Sequence, residues 1–218
     1  MQLELKQLQV PPGRVLEIKD ISWQGFEGIL EGLGESSSKR ISYSNGMLEI
    51  TSPLFEHEDD KGIISDLVKV LLEELDIEFR DAGSTTLKNE EMGRAVEPDS
   101  SFYIANEGAV RGKKRIDLTT DPPPDLAIEI DITSRTKLKN YEALGVSEVW
   151  GYDGGDRLQI NVLEEGEYVE SEVSYNFRNL PELKGAIASH LQGSKVIGRN
   201  ATMRAFRNWV KEQLIINN

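Results

Sequence analysis

Between Pro122 and Trp150 the chain reads PPPDLAIEIDITSRTKLKNYEALGVSEVW, and the change of period inside this stretch limits what the chain can fold into. Leu126, Ile128 and Ile130 alternate with other residues, a period of two that predicts a strand with one buried face. Asp125, Glu129 and Asp131 then share the opposite face. A polar turn, Thr133 to Thr136, leads into a helical pattern whose apolar stripe is Leu138, Tyr141 and Leu144, and Gly145 stops it. At about 100° per residue, Lys137 falls roughly 40° from the centre of that stripe and Lys139 lies nearly opposite. Lys137 therefore points inward and Lys139 outward.

Three carboxylates on one strand face, with a lysine returning from the next helix, are costly near a core unless a cation sits among them. Mg²⁺ suits such a place, because it binds through one or two carboxylates and takes the rest of its shell from water and phosphate oxygens. The same residues also suit a solvated strand face with a surface lysine. Taken alone, they leave both readings open.

Further motifs favour the first. Glu97-Pro98-Asp99 upstream, Glu129 in the later strand and a lysine displaced onto the following helix resemble the PD-(D/E)XK nuclease pattern. More narrowly, LEITSP at Leu48 to Pro53, GSTT at Gly83 to Thr86, EPD, PPPDLAIEID and YEALGVSEVW resemble the Uma family of bacterial restriction-endonuclease-like proteins. The resemblance implies an α+β fold, a restriction-endonuclease-like core with a central mixed β-sheet flanked by helices. It implies one domain over residues 1–218, with a core at about 40–165, an N-terminal arm and helix over 1–39, and C-terminal strands and helices over 166–218.

It also implies roles. Asp99 and Glu129, helped by the main-chain carbonyl of Ile130, would hold Mg²⁺ or Mn²⁺, and Lys137 would serve the reacting phosphate. Position 131, where the ordinary motif has lysine, is Asp131, which is why the displaced Lys137 matters; Arg135 and Lys139 are the fallback cations. Glu49, in the hairpin where the family often supplies another acid, and His57, which matches a family histidine, are secondary candidates together with Asp131. The usual family glutamate before the hairpin turn falls at Ser42, a departure from the pattern. The implied activity is metal-dependent hydrolysis of DNA phosphodiesters. A nuclease-like binding or regulatory module without cleavage is the competing class.

Composition narrows the alternatives. The absence of cysteine excludes disulfides, zinc–thiolate sites and thiol nucleophiles. No signal-peptide pattern or membrane-length apolar run occurs, so a soluble, cytoplasmic protein without a membrane partner is expected. A formal charge of −13 argues against avid, non-specific DNA binding, although Arg111-Gly-Lys-Lys-Arg115 concentrates positive charge in one loop.

The remaining chain reads as scaffold. An arm with one strand precedes a helix capped by Ser22, and Asn45-Gly46 predicts a hairpin over Arg40 to Thr51. A long amphipathic helix occupies Pro53 to Asp76. Strands are expected at Ile77 to Asp81, Ser84 to Leu87, Phe102 to Ile104, Val146 to Tyr152, Arg157 to Leu163 and Tyr168 to Val173, with loops over Glu90 to Glu97 and Asn106 to Asp121. Helices at Glu182 to Leu191 and Asn200 to Leu214 close the chain. The last carries the stripe Met203, Phe206, Val210 and Leu214, wide enough to suggest a homodimer contact.

Overall fold

The computed structural model describes residues 9–34, 39–130 and 135–216. Among these, the chain forms β1 (Val15–Ile18), α1 (Trp23–Leu33), β2 (Arg40–Ser44), β3 (Met47–Thr51), α2 (Phe55–Glu74), β4 (Arg80–Asp81), β5 (Leu87–Asn89), β6 (Arg94–Val96) and β7 (Ser100–Tyr103). It continues through α3 (Glu107–Val110), β8 (Leu126–Ile130), α4 (Arg135–Leu144), β9 (Glu148–Tyr152), β10 (Leu158–Glu164), β11 (Glu167–Ser171), α5 (Leu183–Ile197) and α6 (Arg199–Ile216). The strands make two sheets, an antiparallel one ordered β1-β3-β2-β6-β5 and a mixed one ordered β11-β10-β9-β8-β7-β4. This is the expected α+β, restriction-endonuclease-like class. No helix among the described residues is long and apolar enough to cross a membrane.

The mixed sheet owes its one parallel pair, β8 with β9, to the helix between them. A parallel pair cannot be closed by a tight turn, so the chain crosses over through α4. Leu126, Ile128 and Ile130 face α2, α5 and α6, sharing a core with Leu67, Leu71, Ile187 and Phe206. The other face of β8 is buried too, since Ala127 packs with Tyr141, Leu144 and Val149 beneath α4. The expectation of one buried face is corrected accordingly. It also separates Asp125 from Glu129: Asp125 accepts from the backbone N–H groups of Ile104 and Asn106 and pins that loop.

The antiparallel sheet packs Ile41, Tyr43, Leu48 and Ile50 against Phe26 of α1. Its hairpin turns at Asn45 and Gly46 with φ of 45° and 93°, the paired positive values of a type I′ turn. Ser22 caps α1 by accepting from the Gly25 N–H. The opposite face of this sheet meets α4, where buried Asn140 donates to Ser42 Oγ at 2.9 Å and to the carbonyls of Tyr43 and Ala95 at 3.1 and 3.2 Å. Thus α4 lies between the two sheets, and the connection Glu97-Pro98-Asp99 passes from one sheet to the other.

Several expectations are corrected locally. Residues 82–86 turn instead of forming a strand, because Asp81 accepts from the Gly83 N–H and the Thr85 hydroxyl bonds the Ala82 carbonyl. The expected loop over Glu90 to Glu97 contains β6, too short to show a period, and α3 interrupts the loop after Asn106. The α6 stripe is spent within the chain: Met203, Phe206 and Val210 are buried in the core shared with α2 and α5.

Candidate functional site

Asp99 and Glu129 arrive from adjoining strands at one end of the mixed sheet. Register sets Ser100 opposite Ile128, so Asp99, just before β7, lies beside the last residues of β8. Its N–H donates to the Ile128 carbonyl at 3.1 Å, and its Oδ2 accepts from the Ile130 N–H at 2.7 Å. Glu129, between those two residues, is 1 % exposed. Proline at 98 has no N–H to offer a ladder, which places the first carboxylate directly after the sheet crossing.

The helix that follows supplies partners to both oxygens of Glu129. Lys137 Nζ lies 2.9 Å from Oε2, and the Tyr141 hydroxyl donates to Oε1 at 2.5 Å. Lys137 and Tyr141 are one helical turn apart and so share a face of α4. The inward phase read for Lys137 is the observed one. Lys139 points outward and pairs with Glu142.

Burial controls the electrostatics. It pushes the Glu129 carboxyl up to about 7; the Lys137 ammonium pulls the other way, and the charge of Asp99 raises it further. Lys137 is raised above its ordinary value, since the attraction of Glu129 and Asp99 outweighs a burial penalty that acts in the opposite sense. Tyr141 is held well above the usual phenol range by burial and by the carboxylate it serves, so it remains a donor.

Two charged residues join this group that sequence reasoning did not assign to it. Glu97 receives the Ile41 N–H at 3.0 Å and the Thr86 hydroxyl at 2.9 Å, and burial raises its carboxyl. The EPD and GSTT motifs are thereby tied into one connection. Arg40, the first residue of β2, is buried with Nε 3.5 Å from Asp99 Oδ1 and Nη2 3.1 Å from Glu58 Oε1. The available signal for Arg40 was its phase: it alternates with apolar Ile41 and Tyr43 and so belongs to the face of β2 turned toward α4.

The other candidates fall as follows. Glu49 is buried and sits opposite Ser42, on the same face as Arg40. His57 lies half-buried in the first turn of α2, and among the described residues it makes no side-chain bond to the carboxylates. Asp131 and the Arg135 side chain lie outside the described residues. The basic loop is held at the far end of β7, where Arg80, paired with Tyr103, bonds the Val110 and Lys113 carbonyls. Arg111 and Lys113 there are matched by Glu107 and Asp121.

Among the described residues no three His, Cys, Asp or Glu side chains form a metal-holding group. A hard cation of the Mg²⁺ type needs fewer, since one or two carboxylates with a carbonyl and water complete its shell. Asp99, Glu129 and the Ile130 carbonyl match that donor class. The Lys137 ammonium already shows that the pocket accepts positive charge against Glu129.

The family model described as Uma2, "Putative restriction endonuclease", matches residues 23–191, which include every described residue of this group. A search of curated proteins returned no match.

Proposed function

The chain belongs to the Uma2 family of restriction-endonuclease-like proteins, and on that premise we propose that it is a metal-dependent endonuclease that hydrolyses DNA phosphodiester bonds, working as one restriction-endonuclease-like domain. The observation that carries this reading is the buried Glu129, gripped by Lys137 at 2.9 Å and lying beside Asp99. Carboxylates so deeply placed next to an ammonium are expensive to maintain for structure alone.

Asp99, Glu129 and the Ile130 carbonyl would hold Mg²⁺ or Mn²⁺. When bound, such an ion supplies Lewis-acid polarisation of a phosphodiester oxygen and lowers the pKa of water. Lys137 would orient the attacking water and stabilise charge developing on the phosphoryl oxygens. Tyr141 keeps Glu129 Oε1 in place while Oε2 exchanges partners. The water oxygen bonds to phosphorus as one P–O ester bond breaks, leaving a phosphomonoester and a hydroxyl that takes up a proton.

Nicking of supercoiled plasmid with Mg²⁺ or Mn²⁺ tests the reading. Wild type should nick only with the metal, and Asp99→Ala and Lys137→Met should each lose about 100-fold or more. A second reading, a nuclease-like binding module without cleavage, draws support from the net charge of −13. Wild type and Asp99→Ala behaving alike with every metal would select it.

A further inference from the structure

Arg40 is a buried charge beside the carboxylates with a donor left over. A guanidinium carries five N–H donors and is costly to bury without acceptors. Arg40 is 9 % exposed, yet among the described residues its side chain makes a single hydrogen bond, from Nη2 to Glu58. Its Nε is buried and has no hydrogen-bond partner, although Asp99 Oδ1 lies 3.5 Å away.

Glu58 is a different kind of partner. Its side chain is 44 % exposed, and its second oxygen lies 2.8 Å from Lys61 Nζ. Displaced from Arg40, Glu58 would keep Lys61 beside it and meet water, so the release costs Glu58 little, and the incoming acceptor keeps the buried guanidinium paired. A phosphate, with several oxygens to match the planar guanidinium fork, is the stronger acceptor.

Charge favours the exchange. The carboxylates of Glu97, Asp99 and Glu129 face the cations Arg40 and Lys137, and the field of Arg40 reaches both Glu97 and Lys137. This inner group carries one net negative charge with all five ionised. One divalent cation turns it into one net positive charge, which matches the single negative charge of a phosphodiester.

We propose that Arg40 receives a phosphate of the DNA backbone beside the Asp99–Glu129 pair, and that Glu58 occupies that phosphate's place in the unliganded protein. The assignment rests on the nuclease reading for its ligand, and it makes Glu58 a built-in brake on DNA entry.

The test is fluorescence anisotropy of a short labelled DNA duplex in Ca²⁺, with wild type, Glu58→Gln, Arg40→Met, Arg40→Lys and the double variant Glu58→Gln/Arg40→Met. Glu58→Gln should bind about fivefold more tightly, and Arg40→Met about tenfold more weakly. The gain from Glu58→Gln should vanish when Arg40 is also replaced. Arg40→Lys should recover part of the affinity, as a point charge without the fork.

Unchanged or weaker binding by Glu58→Gln, or a gain that persists without Arg40, overturns the proposal. So does an absence of measurable binding by both wild type and Glu58→Gln. Inorganic phosphate should compete poorly; competition at millimolar phosphate equal to that of unlabelled duplex overturns the backbone assignment. Plasmid nicking separates the two readings. A wild type that nicks, with Glu58→Gln indistinguishable from it in binding, sinks this inference alone. An Arg40-dependent gain in a protein that never nicks sinks the hydrolysis instead.

Discussion

At Glu129, burial pushes the carboxyl up to about 7, so the folded protein holds a proton that the unfolded chain has already lost at the same pH. Stability changes with pH as the protons bound in the unfolded state minus those bound in the folded state. That difference is negative between the ordinary carboxylate value and about 7, so Glu129 makes the metal-free protein less stable as pH rises through this window. The loss is complete above it, and a shift of this size corresponds to on the order of 3 kcal/mol. In chelator, urea unfolding at pH 5 and pH 8 should show Glu129→Gln falling less than wild type; equal falls would remove Glu129 as the source. Tyr141→Phe removes a donor that lowers the Glu129 pKa, so it should move the same window upward and cost about 1–2 kcal/mol. Lys137 was legible because helical phase fixes where a side chain points. Tyr141 showed its apolar phase but not its hydroxyl partner. Arg40 stayed hidden because nothing in the sequence tells which distant strand end lies against a hairpin's first residue.

At the scale of elements, α4 carries most of the consequence, because it both closes the parallel β8–β9 pair and separates the two sheets. Its Asn140 is fully buried and ties the helix to three acceptors on the antiparallel sheet. Asn140→Ala leaves the Ser42 hydroxyl and the Tyr43 and Ala95 carbonyls without that donor, so it should cost about 2–3 kcal/mol in urea unfolding. A loss under about 0.5 kcal/mol would show that water or a backbone shift makes up the bonds. Strands with a clear alternation and helices with a stripe were readable to within a few residues: β8, α2, α6 and the Asn45-Gly46 hairpin all formed where their patterns lay. What escaped was set by partners rather than by local pattern. β6 has three residues and exists because β2 and β5 lie on either side of it. The far face of β8 read as polar, yet α4 covers it.

Across the whole molecule, the candidate site sits where the two sheets join: Arg40 comes from one sheet, Glu129 from the other, Asp99 from the crossing between them and Lys137 from the helix packed on both. An ion bound at Asp99 and Glu129 would therefore brace parts of the fold that must separate on unfolding. Binding only to the folded state stabilises by mass action, about 2.7 kcal/mol at a hundred times Kd. For a chain of this size each kcal/mol raises Tm by roughly 2–4 °C, so saturating Mg²⁺ or Mn²⁺ should raise it by about 5–10 °C. The chain's charge of −13 complicates the measurement, since any added salt screens the repulsion among its acids and stabilises the folded state. The comparison must hold ionic strength fixed with NaCl and include Asp99→Ala, which keeps nearly all of that charge but lacks one donor. Wild type should gain more from the divalent ion than from matched NaCl, and Asp99→Ala should gain equally from both. If the variant's divalent gain matches that of wild type, the ions act on the acidic surface as a whole, and the junction of the sheets is a place where opposite charges are stored rather than a metal site.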